Sequence, residues 1–186
     1  MTFRPRSTAL AGLILIAGLS WSFAPRAQFN ERPANVETYV QQYRYLAVEL
    51  NQATGIPIPV ILAVAGLETG WGTSELARNA NNHFGLKSKE DWTGWEDCKP
   101  SIEYGGLQAT QSWECVRKYP LIRASYIDFG IFITSSDNYQ HLHEFPAWDN
   151  RSWAEGLHAG GYATDPGYAD KILRIIWRYR LWELQE

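Results

Sequence analysis

Several features that mark whole classes of protein are scarce or missing here. No basic block stands out and the net charge is −3, which argues against a nucleic-acid partner. There are only two cysteines, Cys98 and Cys115. They lack further ligands at metal spacing, which argues against a structural zinc site. His141 and His143 stand in "HLHEF", without the HExxH spacing of a metalloprotease. Two positions apart on a helix, they point to different faces. No internal repeat and no low-complexity tract is present. The apolar run Ala9 to Leu19, "ALAGLILIAGL", is shorter than the ~20 residues that span a bilayer. No metal or organic cofactor is implied.

What is present fits one globular domain. The chain has 186 residues, 45% of them apolar, enough for a single core. Arg4 and Arg6 precede the apolar run, so residues 1–27 read as an export signal. Pro25 weakens the cleavage site, and the alternative is an uncleaved membrane anchor extended to Ala24. Residues 28–35 read as a linker and residues 36–186 as the folded domain. Nine Trp and ten Tyr suit core packing and, in part, a groove for a sugar ring. Cys98 and Cys115 lie symmetrically about Gly106-Leu107. A hairpin turning there, through a type II′ turn, sets them face to face as a disulfide; two free buried thiols are the alternative.

Helical periodicity runs from Val36 to Ala53, with Asn35 as N-cap and Gly55 and Pro57 as the stop. Val60 to Thr69 is apolar nearly all round and belongs in the middle of a domain. Gly70 and Gly72 break it, and a short helix follows from Ser74 to Arg78. Residues 91–118 carry strand-like runs between glycines and a proline, and read as a small antiparallel sheet. Helices return over residues 121–134, at Ser152 to His158, and after Asp165 as cap with Pro166 at the first helical position. The fold class is α+β, mainly α, with a β insertion walling a cleft.

One residue stands out. Glu68 ends the most apolar helix. Apolar surroundings disfavour its charged form, and so does the negative end of the helix dipole. Both raise its pKa toward a proton-holding acid, the general acid of glycoside hydrolysis. The alternative is a solvated acid at a helix end.

"LETGWGTSELARNANNHFGLKS", "IEYGG", "VRKYPLIRASYIDF" and "GGYATDPGYADKI" together resemble, in order, the motifs of bacterial peptidoglycan N-acetylglucosaminidases of glycoside hydrolase family 73. The resemblance implies a lysozyme-like α-lobe, a small β-lobe and a cleft between them. It implies hydrolysis of the β-1,4 bond between N-acetylglucosamine and N-acetylmuramic acid in peptidoglycan glycan strands; the export signal implies a periplasmic or extracellular location, with anchoring to the inner membrane as the alternative. Carried over by position, Glu68 matches the general acid and Tyr162 the tyrosine that orients the sugar or its acetamido group. Glu103 matches the second carboxylate and Asp128 a further acidic position. The competing readings are a packed loop aromatic for Tyr162, an exposed strand charge for Glu103, and a buried pair with Arg117 for Asp128. Trp71 is read as the floor of the sugar groove or as core packing. Asn82, His83 and Phe84 match the loop beside the catalytic helix. They are read as mainly structural, with a groove contact through His83 as the alternative. A lysozyme-type muramidase, a lytic transglycosylase and a non-catalytic wall-binding module are the runners-up. Oligomeric state is not readable.

Overall fold

The most apolar segment of the sequence forms the centre of the molecule. In the computed structural model, residues 32–89, 92–105 and 108–185 are described, with the backbone alone at 101–105 and 108–111. The expected export signal and the turn at Gly106-Leu107 lie outside these residues. Helix α2, Ile58–Thr69, buries ten of its twelve residues. Around it pack α1 (Ala34–Thr54), α5 (Asn150–Ala159), α6 (Tyr168–Arg178) and a 3-10 helical turn at Leu181–Leu184. Helix α4, Ile122–Ser135, packs on α1. A helix enclosed in this way has no polar face to offer, which is why its sequence lacks amphipathic periodicity. No described helix is long and apolar enough to cross a membrane.

The starts of α1 and α6 differ from expectation in how they are capped. Helix α1 starts at Ala34, so Asn35 lies inside it; Pro33, extended at ψ 146°, takes the cap position without a side-chain bond. Its fixed φ already directs the chain into the first turn. The start is instead anchored by Arg32, which donates to the carbonyl of Tyr179 (2.6 Å) and pairs with Glu37 (3.0 Å). Helix α6 begins at Tyr168 rather than at Pro166. Asp165 Oδ1 accepts from the Gly167 amide at 2.9 Å, capping a tight turn ahead of the helix.

Strands β1 (Trp95–Gly105) and β2 (Gln108–Lys118) form one antiparallel ribbon. Its register places Cys98 opposite Cys115, and the two are joined in a disulfide. The outer edge of β2 pairs with residues 86–88: the Arg117 amide donates to the Leu86 carbonyl (2.9 Å) and the Ser88 amide to that of Cys115 (3.1 Å). The ribbon is thus fastened at its base to the loop that follows α3 (Glu75–Ala80). A 3-10 helix at Asp137–Glu144 carries His141 and His143, and buries Tyr139 and Leu142 against the core.

Candidate active site

Thr69, Gly70, Trp71 and Gly72 explain how α2 ends. The Thr69 hydroxyl donates to the Ala65 carbonyl (2.5 Å) and accepts from the Gly72 amide (2.9 Å). Gly70, Trp71 and Gly72 all take positive φ, 55°, 61° and 78°. Such a sequence of left-handed residues turns the chain sharply away and leaves Glu68 on the last helical turn.

Glu68 is half-buried and lines a cavity of about 400 Å³ between the helical body and the base of the ribbon. Its Oε1 accepts a hydrogen bond from the Tyr168 hydroxyl at 3.1 Å. Its Oε2 lies against Gly85: a Cβ built on that glycine would sit 2.9 Å away. Gly85 has φ +65°, a conformation that favours glycine. Burial raises the Glu68 pKa above the ordinary carboxylate range, and the Tyr168 hydrogen bond partly opposes this. Tyr168 is itself held as a phenol, because burial and the neighbouring carboxylate push its pKa up. The arrangement is a carboxyl with a raised pKa, fixed on one oxygen and closely walled on the other.

Tyr162 lines the same cavity. Its hydroxyl donates to the Phe84 carbonyl at 2.5 Å, and its ring meets Phe129 and Tyr168. Phe84 is buried, its ring stacked on Phe129 at 4.2 Å.

The remaining residues singled out by sequence fall elsewhere. Asn82 is fully buried, and its amide closes the loop: Nδ2 donates to the Leu86 and Arg117 carbonyls (both 2.9 Å), and Oδ1 accepts from the Phe84 and Leu86 amides (3.2 and 3.3 Å). His83 is buried, shares a 2.7 Å hydrogen bond with the Tyr39 hydroxyl, and has its pKa pushed down to about 4 by burial. Trp71 packs over Gly66 and edge-on to Tyr39 and Tyr179, and lines a separate cavity with Tyr43. Asp128 takes two bonds from Arg117 (2.9 and 3.1 Å) and one from the Tyr119 hydroxyl (2.5 Å). Arg117 reaches the Glu68 cavity and Asp128 stands behind it. Glu103 sits in β1 opposite Thr110; its side chain lies outside the described residues.

Sequence reasoning missed Tyr168 as a partner of Glu68. The available signal was its place as the first residue of α6's buried stripe, next to a motif already singled out for Tyr162.

Residues 44–181 match the sequence family described as mannosyl-glycoprotein endo-beta-N-acetylglucosaminidase. The chain belongs to this glucosaminidase family. Among its relatives is the peptidoglycan hydrolase FlgJ of Vibrio parahaemolyticus, 31% identical over 143 residues, covering 75% of this chain and 46% of that protein. Another is the exo-glucosaminidase LytG of Bacillus subtilis, 34% identical over 142 residues, covering 68% and 45%. The chain therefore spans less than half the length of these two curated relatives. A crystal structure of a peptidoglycan hydrolase mutant from Sphingomonas sp. A1 superposes with a TM-score of 0.67 at 30% identity, covering 80% of this chain and 97% of that one. The helical lobe with a small two-stranded lobe is thus the lysozyme-like architecture of the glucosaminidases.

Proposed function

We propose that this glucosaminidase-family chain is a peptidoglycan hydrolase that cleaves the β-1,4 bond between N-acetylglucosamine and N-acetylmuramic acid, with Glu68 as general acid. The observation that carries this reading is the Glu68 carboxyl in the cavity wall: its protonated form is favoured by burial, and its position is fixed by Tyr168 and Gly85. A carboxylic acid so placed donates its proton to the departing glycosidic oxygen. Tyr162, whose hydroxyl hydrogen is committed to the Phe84 carbonyl, offers the sugar an acceptor oxygen and a ring edge. Asp128 acts through Arg117, holding that guanidinium at the cavity wall.

The second group is either Glu103, carried in on the ribbon to activate water, or the acetamido oxygen of the substrate. The product anomer separates them: inversion follows from Glu103-activated water and retention from acetamido participation. The Ala9–Leu19 run and the disulfide support export to an oxidising compartment. An uncleaved N-terminal anchor in the inner membrane is the alternative to a released protein.

The test is muropeptide analysis of digested sacculi. New reducing ends on N-acetylglucosamine, lost in Glu68→Gln, are expected. Reducing ends on N-acetylmuramic acid would make the chain a muramidase, and anhydromuramic ends a lytic transglycosylase. Strand binding without turnover by either protein would leave only a binding module.

A further inference from the structure

The Glu68 cavity is unevenly charged. In a chain of net charge −3, its wall carries Lys87, Lys89 and Arg117 against Glu68 and Asp165. Arg117 is neutralised by Asp128, and Asp165 is engaged by Lys171. Lys87 pairs with Glu114, but the side chains are 62% and 50% exposed. An ion pair that open to water holds its partners weakly, so Lys87 can exchange to a better anion. Lys89 is exposed and makes no ion pair among the described residues. Lys87 lies in the segment that pairs with the edge of β2, bridged to Val116, and Lys89 follows that segment directly. Both lysines line the same cavity.

The substrate proposed above differs from an unmodified N-acetylglucosamine polymer by its lactyl ether, which ends in a peptide bearing free carboxylates or, once stripped, in its own carboxylate. The geometry points to a carboxylate-binding subsite at Lys87 and Lys89 that takes the anionic lactyl arm of the strand. This rests on the peptidoglycan reading and adds a charge preference to it. The lysines stabilise the bound strand equally before and during reaction, so they act on KM and leave kcat unchanged.

The experiment compares wild type, Lys89→Gln and the double variant Lys87→Gln/Lys89→Gln on three substrates. The first is peptide-bearing strands from sacculi free of phosphate polymers. The second is the same strands stripped by an amidase, which leaves the lactyl carboxylate. The third is stripped strands with that carboxylate capped as a methylamide. The double variant is expected to raise KM about three- to ten-fold on charged strands, with kcat and the capped substrate unaffected. An effect confined to the first substrate assigns the anion to the peptide; an effect on the second also assigns it to the lactyl carboxylate. An equal rise on capped strands, or no rise on any, overturns the subsite while wild-type turnover continues. Wild type inactive on all three strands overturns the peptidoglycan reading and the subsite with it.

Discussion

Replacing Gly85 by alanine tests whether the position of the Glu68 carboxyl governs activity. The new methyl carbon would stand 2.9 Å from Glu68 Oε2, so the carboxyl must retreat by at least about 0.5 Å to regain ordinary contact near 3.4 Å. Retreat is easy for the end of a flexible side chain, but it draws Oε1 off the Tyr168 hydroxyl. The hydrogen bond is worth ~1 kcal/mol. The left-handed backbone at φ +65° adds ~1–2 kcal/mol for any residue with a Cβ. The sum corresponds to a Tm lower by roughly 5–10 °C for a domain of this size. Misplacing a reacting group on this scale costs about ten- to hundred-fold in kcat/KM. Gly55→Ala is the control. Gly55 has φ +77° and nothing within 4 Å of a built Cβ, so it carries the same backbone cost without touching Glu68. Release of reducing ends from sacculi and thermal melts are measured on both variants. Wall hydrolysis by Gly85→Ala as fast as wild type, or an equal loss of activity in Gly55→Ala, would show that the Glu68 carboxyl position does not govern activity.

Four further outcomes follow from the structure. Tyr168→Phe removes the bond that lowers the Glu68 pKa, so the pKa rises further. A general acid works protonated, so the alkaline limb of the kcat/KM profile moves to higher pH; a limb that stays put or moves down refutes the assignment. The same raised pKa makes Glu68 favour the fold below the ordinary carboxylate value of ~4.3, and that contribution is lost as pH rises through the folded pKa. Glu68→Gln therefore gains Tm relative to wild type as pH rises above the ordinary carboxylate value of ~4.3, as differential scanning calorimetry would show. Asp128→Ala strands Arg117, whose side chain is only 11% exposed; the loss is about 3 kcal/mol, read by urea unfolding. Cys98→Ser/Cys115→Ser frees the ribbon and loses about 3 kcal/mol in the chain-entropy model, with faster amide exchange in β1 and β2 than in α2.

How much of this was readable depended on whether a residue's environment is set locally. Helix α2 was legible because a segment apolar all round has one place to go. The ribbon's register was legible from two cysteines equidistant from a Gly-Leu step, and the observed Cys98–Cys115 pairing matches it. The start of α6 was not, because Asp165 and Pro166 satisfy the rules for a helix entry and for a tight turn equally, and the Gly167 amide settled the choice. The 3-10 stretch Asp137–Glu144 gave no periodic signal, since only Tyr139 and Leu142 of its eight residues are buried.

The loop of residues 81–86 shows the deeper reason. The sequence reads Asn82 and His83 as mainly structural, but polarity alone does not say which backbone groups a buried side chain serves. Here Asn82 uses both ends of its amide on four backbone groups, and His83 faces away from Glu68 toward Tyr39. These bonds fix a backbone that then performs two tasks with no side chain of its own: the Phe84 carbonyl receives Tyr162, and the bare Gly85 Cα walls Glu68. One loop therefore couples the two cavity residues that sequence placed 94 positions apart. Disturbing Asn82 is expected to move both at once: Asn82→Ala removes the acceptor of the Phe84 and Leu86 amides and one donor each from the Leu86 and Arg117 carbonyls, and both Tyr162 and Glu68 lose their reference. If Asn82→Ala kept wild-type kcat and the wild-type pH profile, the loop would be mere filler and Gly85 would have to be positioned from elsewhere.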